Sequence, residues 1–325
     1  MVQGLAMYRR SASIGLVPAL AAGVSLGLFF IPWLLPVLGA LISIWSPLPL
    51  ALLYWRQGNQ PGRRGMLLAG AGAVAVYWSL PTGLTGLYYF YYAAVAMVLG
   101  EAARQEWAPE RSIALAAAAG ALAALAVFIL GGAFSGQGLG QVWESYWQGE
   151  VDLVLGIYGQ NAMETGAGEQ LRRSLMETGR VIMRLAPGVL AAATLLMAWA
   201  NFLFARSLAR RGSFLSAVFG QSLALFKAPE RLVWIFIAAA GLMVIAEGWW
   251  YWLGANLVVI LSVVYFFQGL AIIAHWLEKK KAPRLLRAGI YVLVAMEFFL
   301  AVFVAAAGLF DLWFDFRRLK KQNSA

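Results

Sequence analysis

The chain of 325 residues contains no cysteine and a single histidine. Disulfides, thiolate zinc sites, iron–sulfur clusters and cysteine nucleophiles are therefore excluded, and so are multi-histidine metal centres. Charge is also scarce: Asp, Glu, Lys and Arg make up 12% of residues, where soluble domains carry roughly a quarter. Hydrophobic residues reach 62%, which rules out a soluble globular protein. No Walker, GxSxG or HExxH pattern occurs, nor any cluster of metal-ligand residues. No enzyme and no cofactor are expected.

What is present is length without charge. Gly254 to Trp276, GANLVVILSVVYFFQGLAIIAHW, holds no ionised side chain and is long enough to cross a ~30 Å hydrocarbon core as a helix. Within it stand Asn256, Gln268 and His275, each costly in lipid unless partnered. Gln268 and His275 are seven residues apart, on nearly one helix face. Such a helix belongs inside a bundle. The net charge of +10 would suggest nucleic acid in a soluble chain. Here Lys and Arg gather in short loops between apolar runs, the positive-inside signal of a membrane protein, and no nucleic-acid partner is expected.

The pattern predicts an all-α polytopic bundle of 8–9 spans. The first four run from about Ser13 to Trp33, Leu35 to Trp55, Gly65 to Leu84 and Gly86 to Ala103. In the first, Gly23 and Gly27 have the spacing that permits close helix contact. Pro47 and Pro49 break the second, and the freed carbonyls there need partners; the break reads as a kink or as part of a solute site. Tyr88 to Tyr92 at the start of the fourth read as an interfacial belt, with an aromatic cage as the alternative. Ile113 to Leu130 is an alanine-rich fifth span.

The long connection from Gly131 to Leu185 carries Leu139, Trp143, Trp147, Val151 and Leu155 at helical spacing, opposite Gln141, Glu144, Gln148 and Asp152. That is an amphipathic helix. A second, basic stretch, Glu169 to Leu185, follows, so an amphipathic hairpin is predicted. Span six starts at Pro187, the favoured first-turn residue, and contains Asn201. A short interfacial segment is predicted at Ser213 to Phe226, then spans at Leu232 to Tyr251, Gly254 to Trp276 and Ala288 to Phe310. Three regions result: residues 1–130 with five spans, the extracytoplasmic loop 131–185, and residues 186–325 with three to four spans and a basic tail. Most of the 25 Lys and Arg residues then fall on the N-terminal side, which predicts a cytoplasmic N-terminus.

Polar groups inside apolar runs are the candidate ligand-binding residues: Glu297, Asn256, Gln268, Glu247 and Asn201. Glu297 falls mid-span, where an ionised carboxylate needs a partner such as His275, Gln268 or an arginine. Glu247 and Asn256 lie near Trp249, Trp250 and Trp252 at one membrane face, where they could line a solute site. The bland alternatives are an interfacial Glu247 and a protonated, packed Glu297.

Three stretches form a recognisable pattern: Phe226-Lys227-Ala228-Pro229-Glu230-Arg231-Leu232-Val233-Trp234, Asn256-Leu257 with Gln268-Gly269-Leu270-Ala271, and Gly308-Leu309-Phe310-Asp311-Leu312-Trp313-Phe314-Asp315-Phe316-Arg317-Arg318. Together with Ser46-Pro47-Leu48-Pro49 and Arg56-Gln57-Gly58, they resemble the YybS-like family of bacterial integral membrane proteins, a domain of unknown function. The layout is distantly similar to the substrate-binding membrane components of energy-coupling-factor vitamin transporters. The resemblance implies a multi-pass protein of the bacterial inner membrane and names no activity. Two functions follow as expectations. One is a transporter or transporter component for a small solute, driven by a gradient or by a separate ATPase partner. The other is a structural or assembly protein of the cell envelope.

Overall fold

The computed structural model describes residues 2–79, 83–136, 138–158, 167–211, 224 and 226–317. The described residues are almost entirely helical, with no strand among them. In chain order the helices are α1 (Val2–Phe30), α2 (Pro36–Ser43), α3 (Pro47–Gln57), α4 (Asn59–Ser79), α5 (Tyr89–Arg104), α6 (Pro109–Ser135), α7 (Leu139–Tyr158), α8 (Ala167–Arg211), α9 (Arg231–Ile245), α10 (Trp249–Lys279), α11 (Arg284–Met296) and α12 (Phe298–Phe314). Most of the segment expected to be interfacial, Ser213 to Phe226, lies outside the described residues, as does the end of the basic tail.

Among the described residues, five helical stretches are long and apolar enough to cross a membrane: Leu16–Trp33, Pro36–Gln57, Pro109–Ala133, Gly168–Leu208 and Trp249–Lys279. A sixth is reached if the pair α11–α12, bent by 103°, counts as one. This falls short of the eight or nine expected, for local reasons. α4 opens on the polar Asn59-Gln60-Pro61-Gly62-Arg63-Arg64. α5 has 16 residues and α9 has 15, fewer than the ~17–25 that a crossing helix needs.

Two further expectations change. Pro187 does not start a helix: α8 runs 45 residues through it, joining the basic stretch to span six. Beside it the Gly188 N–H donates to Asn256 Oδ1 at 2.5 Å, so a neighbouring side chain serves the backbone next to the proline. The ninth span is not one straight helix, because the chain turns sharply at Glu297.

The chain divides into two compact units, Met1–Ala186 with Thr194–Phe219, and Pro187–Ala193 with Gly220–Ala325. In the first, α1 packs through Ala22, Ser25 and Phe29, one stripe at i, i+3 and i+7. Gly23 and Gly27 face open space instead of a neighbouring helix. Ser25 Oγ donates to Ser46 O at 2.7 Å, and Ser46 Oγ donates to Ser25 O at 2.9 Å. Tyr89 is fully buried with its hydroxyl 2.6 Å from Ser25 Oγ, and Tyr91 hydrogen-bonds Thr194 at 3.1 Å. These tyrosines are core residues, not an interfacial belt. At the break before Pro47, Asn201 Nδ2 donates to Ile44 O at 2.8 Å. The carbonyls that Pro47 and Pro49 cannot serve, Ser43 O and Trp45 O, accept from the Ser46 and Leu48 N–H groups at 2.9 and 3.0 Å, Asn201 takes Ile44 O, and the break is a satisfied kink.

α7 and the start of α8 pair antiparallel. Trp143 Nε1 donates to Gly179 O at 3.2 Å, Trp147 Nε1 donates to Leu175 O at 2.9 Å, and Arg172 pairs with Asp152 at 3.0 Å. Gly179 permits this approach, since a Cβ there would sit 2.2 Å from Trp147 Nε1.

Gly179→Ala should cost about 1–3 kcal/mol through overpacking and shift the tryptophan emission of the folded protein. An unchanged melting curve and spectrum would refute the packing assigned to this hairpin. Asn201→Leu should cost a similar ~1–3 kcal/mol because it strands a buried carbonyl, read as a lowered thermal midpoint in detergent.

Candidate functional site

In the second unit α10 is the central element, with α9 and α12 packed along it. α12 runs antiparallel to it at close range: a Cβ on Gly269 would lie 1.9 Å from Val304 O, and one on Gly308 would lie 1.9 Å from Tyr265 O. Only glycine allows backbones to come this near. The contact brings the C-terminal end of α12 alongside the middle of α10, and the chain entering α9 arrives at the same level.

There a polar network closes around Gln268, which is fully buried. The Ala228 N–H donates to Gln268 Oε1 at 3.0 Å, and Gln268 Nε2 donates to Asp311 Oδ2 at 3.2 Å. Arg317 Nε and Nη2 donate to the same oxygen at 3.2 and 2.7 Å. Arg317 Nη1 reaches both Ala224 O and Phe226 O at 2.8 Å. One arginine thus neutralises a buried carboxylate and holds two backbone carbonyls of the segment that leads into α9. The side chains of the ion pair are 0% and 3% exposed, so their charges interact with little screening by water.

Two polar atoms in this neighbourhood are left over. Asp311 Oδ1 and the Tyr265 hydroxyl are buried without a hydrogen-bond partner among the described residues. Tyr265 lies one helical turn before Gln268, in a cluster with Ala228, Val233, Leu261 and Leu312. At about 1.5 Å per residue, Gln268 sits roughly 16 Å from the Lys279 end of α10 and roughly 28 Å from the Trp249 end. The network is well inside the apolar length of the helix.

The five residues expected from sequence occupy different settings. Gln268 is the hub. Asn201 pins the kink before Pro47, and Asn256 supports the Pro187 region and donates to Trp252 O at 2.7 Å. Glu247 is exposed in the turn between α9 and α10, and Glu297 is exposed at the bend between α11 and α12. Gln268, one of the partners anticipated for Glu297, is instead bonded to Asp311. His275 stacks edge-on to Trp276. Sequence reasoning missed Asp311, Arg317 and Tyr265 as site residues. The available signal was that Asp311 interrupts an apolar run and that Arg317 follows six residues later.

Residues 23–312 match the family described as "Predicted membrane protein (DUF2232)". The chain belongs to that family. The DUF2232 match covers Gln268 and Asp311 and stops just short of Arg317. No curated protein and no solved structure matches the chain. Within this DUF2232 protein, the stretches around Phe226, Gln268 and Asp311 meet in the buried network.

Removing one partner of the ion pair leaves a buried charge alone. Asp311→Asn or Arg317→Met should each cost about 3–5 kcal/mol, whereas the double substitution should cost clearly less than their sum. Thermal unfolding of the four proteins in detergent measures the coupling; strict additivity would refute a direct pair.

Proposed function

We propose that this DUF2232 protein binds a small solute within the bacterial inner membrane, as a transporter or as the membrane component of one. The carrying observation is the leftover hydrogen-bonding capacity at Asp311 Oδ1 and the Tyr265 hydroxyl, beside non-helical backbone and deep along α10. In lipid-embedded proteins irregular backbone is tolerated where it is packed by protein or lines a cavity, and polar groups at that depth commonly mark solute or ion pathways. The Asp311–Arg317 pair is already electrically balanced. A neutral solute offering a hydrogen-bond donor to Asp311 suits it best, because a charged one would leave a buried charge unmatched.

The finer reading follows the resemblance: a YybS-like protein with a cytoplasmic N-terminus, distantly similar to the substrate-binding components of energy-coupling-factor transporters. Transport would then draw on a gradient or on a separate ATPase.

A thermal-shift screen of the purified protein against vitamins, nucleobases, amino acids and ions tests the proposal. A solute at a hundred times its Kd should add about 2.7 kcal/mol to the folded state. Tyr265→Phe removes a hydroxyl that has no described partner, so the fold should survive while the shift is lost. Glu297→Gln should retain it. A panel without hits, or a hit untouched by Tyr265→Phe, would defeat this site and favour the envelope-assembly reading.

A further inference from the structure

We infer that α11 is an in-plane helix resting on an anionic lipid surface, and not one arm of a membrane crossing. Three features of the second unit lead there. The first is register. The contacts of Gly269 with Val304 and of Tyr265 with Gly308 set α12 antiparallel to α10. Extending that register puts Phe298 opposite the His275–Trp276 turn, close to the basic end of α10. α11 begins just after Lys279 and ends at Glu297, so both of its ends lie near one level of α10. A helix that crossed the bilayer would separate them.

The second feature is the helix surface. At about 100° per residue, Arg284, Arg287 and Tyr291 share one side. Leu285, Leu286, Val292, Leu293 and Met296 share the opposite arc and are exposed, Leu285 to 88% and Met296 to 79%. Between these sides Val294 is buried against the protein. A crossing helix is apolar all round, whereas an interfacial one divides into a charged and an apolar side. Lys280, Lys281 and Arg284 form no ion pair among the described residues and are exposed. Arg287 is occupied, with Nε donating to Ala282 O at 2.9 Å. Unpaired cations beside an exposed apolar arc match anionic headgroups over hydrocarbon.

The third is the bend itself. The chain turns by 103° at Glu297, and Ala295 to Phe299 are all exposed. No side chain from another helix hydrogen-bonds this turn among the described residues. Interrupted backbone without protein partners requires water, which headgroup depth supplies and the hydrocarbon core does not.

The absence of native cysteine makes a single-cysteine test clean. Leu285→Cys, Val292→Cys and Met296→Cys, each carrying a fluorophore in reconstituted vesicles, should be quenched by brominated lipids to one common depth. Ala288→Cys and Ala295→Cys should react with a membrane-impermeant maleimide. A crossing helix would instead spread the first three labels over about 16 Å of depth, and that result would overturn the inference. So would labels shielded from every lipid quencher, which would mean that protein covers the arc. For the lipid preference, brominated phosphatidylglycerol should quench the Val292→Cys label at least about twofold more than brominated phosphatidylcholine. The combined Lys280→Gln, Lys281→Gln and Arg284→Gln changes should abolish that difference. Equal quenching in the unaltered background would refute the anionic partner.

Discussion

A bilayer offers no hydrogen bonds, so each place where a helix in it stops or breaks must be completed by the protein or lie within reach of water. That constraint organises this molecule. At the break before Pro47 the completion comes from Ser25 and Asn201. Around Pro187 it comes from Asn256. At the non-helical entry to α9 it comes from Gln268 and Arg317. Three of the polar residues that stand out in the sequence thus have a structural task. The bend at Glu297 has no such partner among the described residues, and it is exposed.

The Arg317 network differs from the others because it contains charge. Asn201 at the kink keeps a neutral Oδ1 without a partner among the described residues, whereas Asp311 is a carboxylate: all three of its donors converge on Oδ2, leaving Oδ1 over. A fully occupied pin would suffice to hold α9, α10 and α12 together. The surplus acceptor, with a buried phenol nearby, separates a site that could accept a ligand from one that only packs.

Part of this was legible from sequence. Gln268 declared itself because an amide in a long apolar helix must be partnered. Its partner did not, since Asp311 lies 43 residues away near a helix end, where an acid reads as interfacial. Tyr89 and Tyr91 were misread for a related reason. A tyrosine near the start of an apolar run meets headgroups or core according to how far neighbouring helices extend, and its own surroundings in sequence are the same in both cases. Glu297 looked deeply buried because Ala288 to Phe310 is one apolar stretch, and Ile290 to Ala307 around it holds no proline or glycine of the kind that usually accompanies a sharp turn.

Composition and periodicity alone determined that the chain is a helical membrane protein: with 62% hydrophobic residues and uncharged runs of spanning length, lipid is the solvent and helices satisfy its demands. They also determined which polar residues would need partners. Tertiary structure alone decided what those partners are, which apolar helices are too short to cross, and where α12 turns away from α11. Hydrophobicity is a property of each segment by itself, whereas hydrogen-bond pairing depends on which segments approach within about 3 Å, and close packing at Gly269 and Gly308 sets that approach.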